Sequence, residues 1–131
     1  MIVDTSAVVA ILKAEEGHED FARNILRQKS QMSAANYVEL MCVLSSSREP
    51  ATARRADRLL EALGIEVVPV SVEQARIAAD AYRAYGRGSG HPAGLNYGDT
   101  FAYALAVERN EPLLFTGRDF AATDVLRASS G

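Results

Sequence analysis

The chain has 131 residues, 48% of them apolar, and a formal net charge of −3. That is enough chain for one hydrophobic core and too little for two ordinary domains, so residues 1–131 are read as a single domain that folds without staples. The lone Cys42 excludes an internal disulfide, no apolar stretch approaches the roughly 18 residues of a membrane span, and the acidic balance argues against a binder that reads phosphates through bulk positive charge. The start, MIVDTS, has no basic segment followed by an apolar one, so the expectation is a cytoplasmic protein in a reducing compartment.

Met1 to Asp4 is a short apolar run with two β-branched residues and predicts a strand, after which Thr5 and Ser6 open a helix through Lys13. His18 to Lys29 carries Phe21, Ile25 and Leu26 on one face and predicts a second helix. A short extended piece follows over Gln31 to Ala34. Tyr37, Leu40, Met41 and Leu44 then stand at i, i+3, i+4 and i+7, the spacing of an amphipathic helix, in which Cys42 is expected as a packed thiol. Ser45 to Pro50 breaks that helix, Ala51 to Leu63 resumes helical spacing until Gly64 stops it, and Ile65 to Val70 predicts a buried strand. Ser71 opens a helix that reaches Tyr85. Gly86 to Gly98, written GRGSGHPAGLNYG, holds five glycines in thirteen residues and predicts a long loop of the functional or mobile kind. Asp99 to Arg109 reads as a helix, Pro112 to Phe115 as a strand that proline can begin, and Thr116 to Asp119 as a turn. Strands separated by helical segments predict the α/β class, a central parallel sheet with helices on both faces, because parallel strands need crossovers.

In an open parallel sheet a ligand binds beyond the carboxyl ends of the strands. Asp4 ends the first strand, Asp119 lies just past the last, and Asp99 opens the helix leading into that last strand, so these three are expected as neighbours at one end of the sheet. Glu39 sits off the apolar stripe of its helix, with Ala35 and Val43, and joins them if that helix crosses the same end. Each acid also has a purely structural reading: Asp4 and Asp99 suit helix caps, Asn36 with Glu39 has capping-box spacing, and Asp119 suits a turn. Capping alone gives no reason to gather acids at one sheet edge. Four converging carboxylates without His or Cys suit a hard divalent cation, Mg²⁺ or Mn²⁺, over zinc.

The segments MIVDTSAVVAIL, NYVELMCVL, GLNYGDTFAYALA and PLLFTGRDFAATDV together resemble the PIN-domain ribonuclease toxins of VapC type, in the family's order and across both ends and the middle of the chain. The resemblance implies a PIN fold, an α/β/α sandwich around a parallel sheet, with Asp4, Glu39, Asp99 and Asp119 as the family's acidic quartet. It places Thr5 and Ser6 as the polar pair behind the first acid, Thr116 as a hydroxyl near the last, and Asp124 as a supporting acid. It also implies a VapB-type antitoxin whose carboxyl-terminal segment covers the acidic site. On physical grounds, an arginine inserted among four carboxylates could replace the metal's charge and block substrate, which is the expected route of neutralisation. Homodimers, alone or in toxin and antitoxin hetero-oligomers, are implied as well.

Phosphodiester hydrolysis needs an oriented water, stabilised phosphoryl oxygens and relief for the leaving oxygen, all of which Mg²⁺ can supply. Asp4 and Asp99 are expected as direct ligands, with Asp119 and Glu39 acting through water or on a second ion. Setting those four carboxylates aside raises the net charge from −3 to +1, so the rest of the surface tolerates RNA. Arg87 and Arg118 are candidates for phosphate contacts and Tyr97 for stacking on a base. Other readings fare worse. A haloacid-dehalogenase-like phosphatase wants an acid where Ser6 stands, and a receiver domain wants a lysine after its last strand, whereas both lysines precede residue 30. The remaining alternative is a PIN-like binding module that no longer cleaves and acts only through its antitoxin.

Overall fold

Ile2 and Val3 point to opposite faces of a strand and both are fully buried, which requires packed layers on the two sides of their sheet. A computed structural model, describing residues 1–45 and 49–128, shows those layers. Four parallel strands, β1 (Ile2–Val3), β2 (Ser30–Ser33), β3 (Ile65–Val68) and β4 (Leu113–Leu114), form one sheet in the order β3-β2-β1-β4. Helices α1 (Thr5–Leu12) and α2 (His18–Leu26) connect β1 to β2, and α3 (Ala34–Leu44) and α4 (Pro50–Ala62) connect β2 to β3. The chain then returns through α5 (Val72–Tyr85) and α6 (Tyr97–Arg109) to β4 on the far side of β1.

The pleat divides the core in two. Val3 and Leu114 join Met32, Ile25, Leu40 and Leu60 under the first four helices, while Ile2 and Leu113 join Val68, Leu95, Leu105 and Phe120 on the side of α5 and α6. The expected α/β/α sandwich is therefore the fold. Strand order reverses at β1, so the crevice past the carboxyl ends of β1 and β4 is where such a topology offers a ligand site.

Several boundaries differ from the sequence reading, each for a local reason. The ladder of β3 ends at Val68 because Pro69 has no N–H to donate. Helix α3 begins at Ala34, where the Ser33 side chain accepts from the Ala35 amide at 3.3 Å and caps it. Helix α4 starts with Pro50 in its first turn, and residues 46–48 of the expected Ser45 to Pro50 break lie outside the described residues. The glycine-rich segment is shorter than expected, because Asn96 caps a helix that already begins at Tyr97. Its ends are pinned by the Arg87 amide on the Leu95 carbonyl at 2.9 Å and the Leu95 amide on the Tyr85 carbonyl at 2.8 Å. Cys42, expected as a packed thiol, is exposed, since it follows the exposed Val38 by one turn and lies off the buried stripe of Asn36, Leu40 and Leu44.

Candidate active site

Asp4 leaves β1 in extended conformation, its amide donating to the Leu114 carbonyl at 3.0 Å, and becomes the cap of α1. Its Oδ2 accepts from the Ser6 amide at 3.0 Å, while Oδ1 is buried without a partner among the described residues. Burial pushes this carboxyl up to about 6 against the opposing bonds from Ser6 and Thr5, and the charge of Glu39 pushes the same way. The neighbouring hydroxyls tie three elements together. Thr5 Oγ1 donates to the Asn36 carbonyl in α3 at 3.1 Å, and Ser6 Oγ accepts from the Thr116 amide past β4 at 3.1 Å.

Asp99 occupies the third position of α6, inside a capping box. The Asn96 side chain accepts from the Asp99 amide at 2.8 Å, and Asp99 Oδ2 accepts from the Asn96 amide at 3.0 Å. Burial raises the Asp99 carboxyl to about 7, opposed by the Asn96 amide and reinforced by the charges of Asp4, Asp119 and Glu39. Those repulsions show that the four acids share one electrostatic neighbourhood. Glu39 is half-buried in α3, and Asn36 Nδ2 donates to its Oε1 at 3.2 Å and to the Gly98 carbonyl in α6 at 2.9 Å. Asn36 and Glu39 therefore do not form a capping box, and the cap of α3 is Ser33.

Asp119 is reached through a turn in which Gly117 takes φ +86°, the left-handed region that glycine enters without a Cβ penalty. It stands exposed ahead of a single 3₁₀ turn over Phe120–Ala122. Asp4, Glu39, Asp99 and Asp119 all line a cleft of about 320 Å³, together with Thr5, Ser6 and Thr116. Asn96 and Glu15 line it too and were not singled out from sequence. Ala14, at φ +50°, turns the chain after α1 and sets Glu15 there, and no motif marks it.

Four expected residues lie elsewhere. Asp124 accepts from the Tyr103 hydroxyl at 2.5 Å and borders a separate depression with Ala106 and Asn110, so it fastens the end of the chain to α6. Arg87 and Arg118 are exposed and outside the cleft lining, although Arg118 directly precedes Asp119. Tyr97 is 75% exposed at the start of α6, edge-on to Phe101.

Among the described residues, no lysine or arginine forms an ion pair with any of the four acids. Nor are three of them already drawn together as a preassembled cage. The donor set nevertheless fits a hard cation: only oxygen ligands, an unpartnered buried Asp4 Oδ1, and mutual repulsion that a positive charge relieves.

Residues 1–126 match the family model of the PIN domain. Ribonuclease VapC42 of Mycobacterium tuberculosis is 54% identical over 126 residues, covering 95% of this chain and 96% of that protein. Among solved structures, VapC20 of Mycobacterium tuberculosis, described as a sarcin-ricin loop cleaving toxin, superposes with a TM-score of 0.76 at 16% identity and covers 97% of each chain. A toxin-antitoxin complex from Klebsiella pneumoniae superposes with a TM-score of 0.70 at 14% identity, covering 99% of this chain and 97% of that one. At those identities the two structures speak for the fold, and the sequence match places the chain more narrowly: it belongs to the PIN-domain family, among the VapC ribonucleases.

Proposed function

We propose that this chain is a metal-dependent endoribonuclease and the toxin of a type II toxin-antitoxin pair. One observation carries the reading: four carboxylates from four separate stretches of sequence line one cleft, and among the described residues no cationic side chain is paired to them. The 54% identity to a protein named a ribonuclease supports the activity.

Asp4 and Asp99 would hold Mg²⁺, or Mn²⁺ in its place, with Asp119 and Glu39 acting through water or on a second ion. The ion would polarise the scissile phosphate and lower the pKa of its water. The chain supplies the rest. The capping box and the Ser6 amide hold the two raised acids in place, and a bound cation would favour their ionised form. Ser6 and Thr116, bonded to each other, keep the ends of β1 and β4 in register. Arg118, beside Asp119, and Arg87 suit phosphates along the strand, and Tyr97 offers an exposed ring for a base.

No helix among the described residues is long and apolar enough to cross a membrane, and the reading puts the protein in the cytoplasm, where its RNA would be. We assign it a VapB-type antitoxin as partner, supported by the fold shared with a toxin-antitoxin complex. The surface from Val38 across Tyr97 and Phe101 to Tyr82 is apolar, and it suits the homodimer and hetero-oligomer contacts of that assembly.

The test is cleavage of total RNA by the purified chain, free of antitoxin, in Mg²⁺, Mn²⁺ or excess EDTA. Fragments in either ion and none in EDTA are expected, with cooperative thermal unfolding retained in EDTA because the two cores hold the sheet. Equal cleavage in EDTA would remove the metal from the account, and a folded protein that never cuts would be a binding module. Sequencing the RNA ends identifies the substrate.

A further inference from the structure

Gly98 lies inside helix α6, one residue before Asp99, with an ordinary helical backbone that places no demand for glycine. Glycine is a poor helix former, so its presence there needs another reason. A Cβ at this position would fall on the carboxylate of Glu39, within bonding range of Oε2 and well inside contact distance of Cδ. The absent side chain is therefore the space that the Glu39 carboxylate fills.

The same spot is held from the other side. Asn36 is fully buried, and its amide nitrogen spends both protons here, on Glu39 Oε1 at 3.2 Å and on the Gly98 carbonyl at 2.9 Å. Its Oδ1 is buried with no partner among the described residues, an arrangement that folding stability alone disfavours. A packed apolar side chain would serve the core better.

From these two independent features we infer that Gly98 and Asn36 form a seat for Glu39. They are positioning residues that fix its carboxylate against the start of α6, and so set its distance from Asp99. The inference rests on the proposed reading of the cleft as a divalent-cation site. Neither residue touches the ion or the RNA; both act through Glu39. Gly98→Ala pushes away the far end of a flexible side chain, not backbone, so the displacement costs the fold little while it moves the carboxylate.

The experiment is a Mn²⁺ titration by calorimetry on the full chain, with Gly98→Ala and Asn36→Ala each made alone and in a Glu39→Ala background, and thermal unfolding of all variants in EDTA. Gly98→Ala is expected to melt at or above the wild-type temperature, since alanine favours the helix. It should bind Mn²⁺ about 10- to 100-fold more weakly, the range for groups that orient metal ligands. Asn36→Ala should weaken binding similarly, and neither change should weaken it further once Glu39 is gone. A folded Gly98→Ala protein with wild-type Mn²⁺ affinity would overturn the inference. So would losses of equal size in the Glu39→Ala background. Wild-type protein that binds no Mn²⁺ would instead overturn the reading of the cleft, and the seat with it. Gly98→Ala keeps the test decisive even if Asn36→Ala fails to fold.

Discussion

At the amino end of the sheet, charged and polar side chains find one another. The terminal ammonium of Met1 meets Glu111 at 2.6 Å, Arg109 donates to Gln31 at 2.7 Å, Gln31 donates to Glu66 at 3.2 Å, and Gln74 donates to Glu108 at 3.0 Å. At the carboxyl end three of the four acids accept from uncharged N–H donors, and among the described residues none of the four meets a cation: two are nearly fully buried, their carboxyls pushed up, and two more line the same cleft. Burying acids without a counter-charge costs stability. A cleft of acids that meets no cation among the described residues, opposite an end where charges are paired, suits a positive ligand, and that contrast is the physical basis of the proposed function.

The largest effect follows from removing a charge from the cleft. Asp4→Asn or Asp99→Asn should lower the initial rate of RNA cleavage by at least on the order of a hundredfold, because even groups that only orient metal ligands are worth 10 to 100. The matching change at the paired end, Gln31→Met, should leave that rate unchanged. Equal losses at both ends would erase the contrast.

Next comes the ion itself. Mn²⁺ at about a hundred times its dissociation constant should stabilise the protein by about 2.7 kcal/mol, or on the order of 10 °C in melting temperature. The double variant Asp4→Asn with Asp99→Asn should show no such rise.

Protons should do part of the ion's work. Folding raises Asp4 to about 6 and Asp99 to about 7, from an ordinary value of 3.8. Between those values the folded protein binds more protons than the unfolded one. The contribution of these two acids to stability is therefore fully present below the ordinary value, and it is lost as pH rises through about 6 to 7. In EDTA the melting temperature should rise by several degrees from about pH 7.5 to about pH 5.5, and the double variant should lose that rise. Cleavage should fall over the same interval as protons displace the ion.

The smallest effect belongs to the paired end. Gln31→Met keeps the volume of a buried side chain but removes the partner of Arg109 and Glu66, and should cost about 1 kcal/mol in urea unfolding with Mn²⁺ affinity unchanged.

Much of this was readable from the chain. Short apolar runs between helical spacings led to the parallel sheet, and acids placed just after strands led to the cleft. What escaped the reading depended on contacts between distant segments. Gly98 looked like the end of a glycine-rich loop, and only the approach of Glu39 from α3 explains a glycine inside a helix. Glu15 enters the cleft through a left-handed residue, Ala14, that carries no turn signature. Asp124 stood near the last acid in sequence, yet the 3₁₀ turn between them carries it to Tyr103. Cys42 shared a helix with core residues and lay on its other face.

The central claim, that the acids of the cleft hold a divalent cation, is met most directly by diffraction from crystals of the wild-type protein soaked in Mn²⁺, recorded for anomalous scattering. The account predicts a strong peak in the cleft, in contact with carboxylate oxygens of Asp4 and Asp99. A cleft without a peak at saturating Mn²⁺, or peaks confined to other acids on the surface, would contradict it.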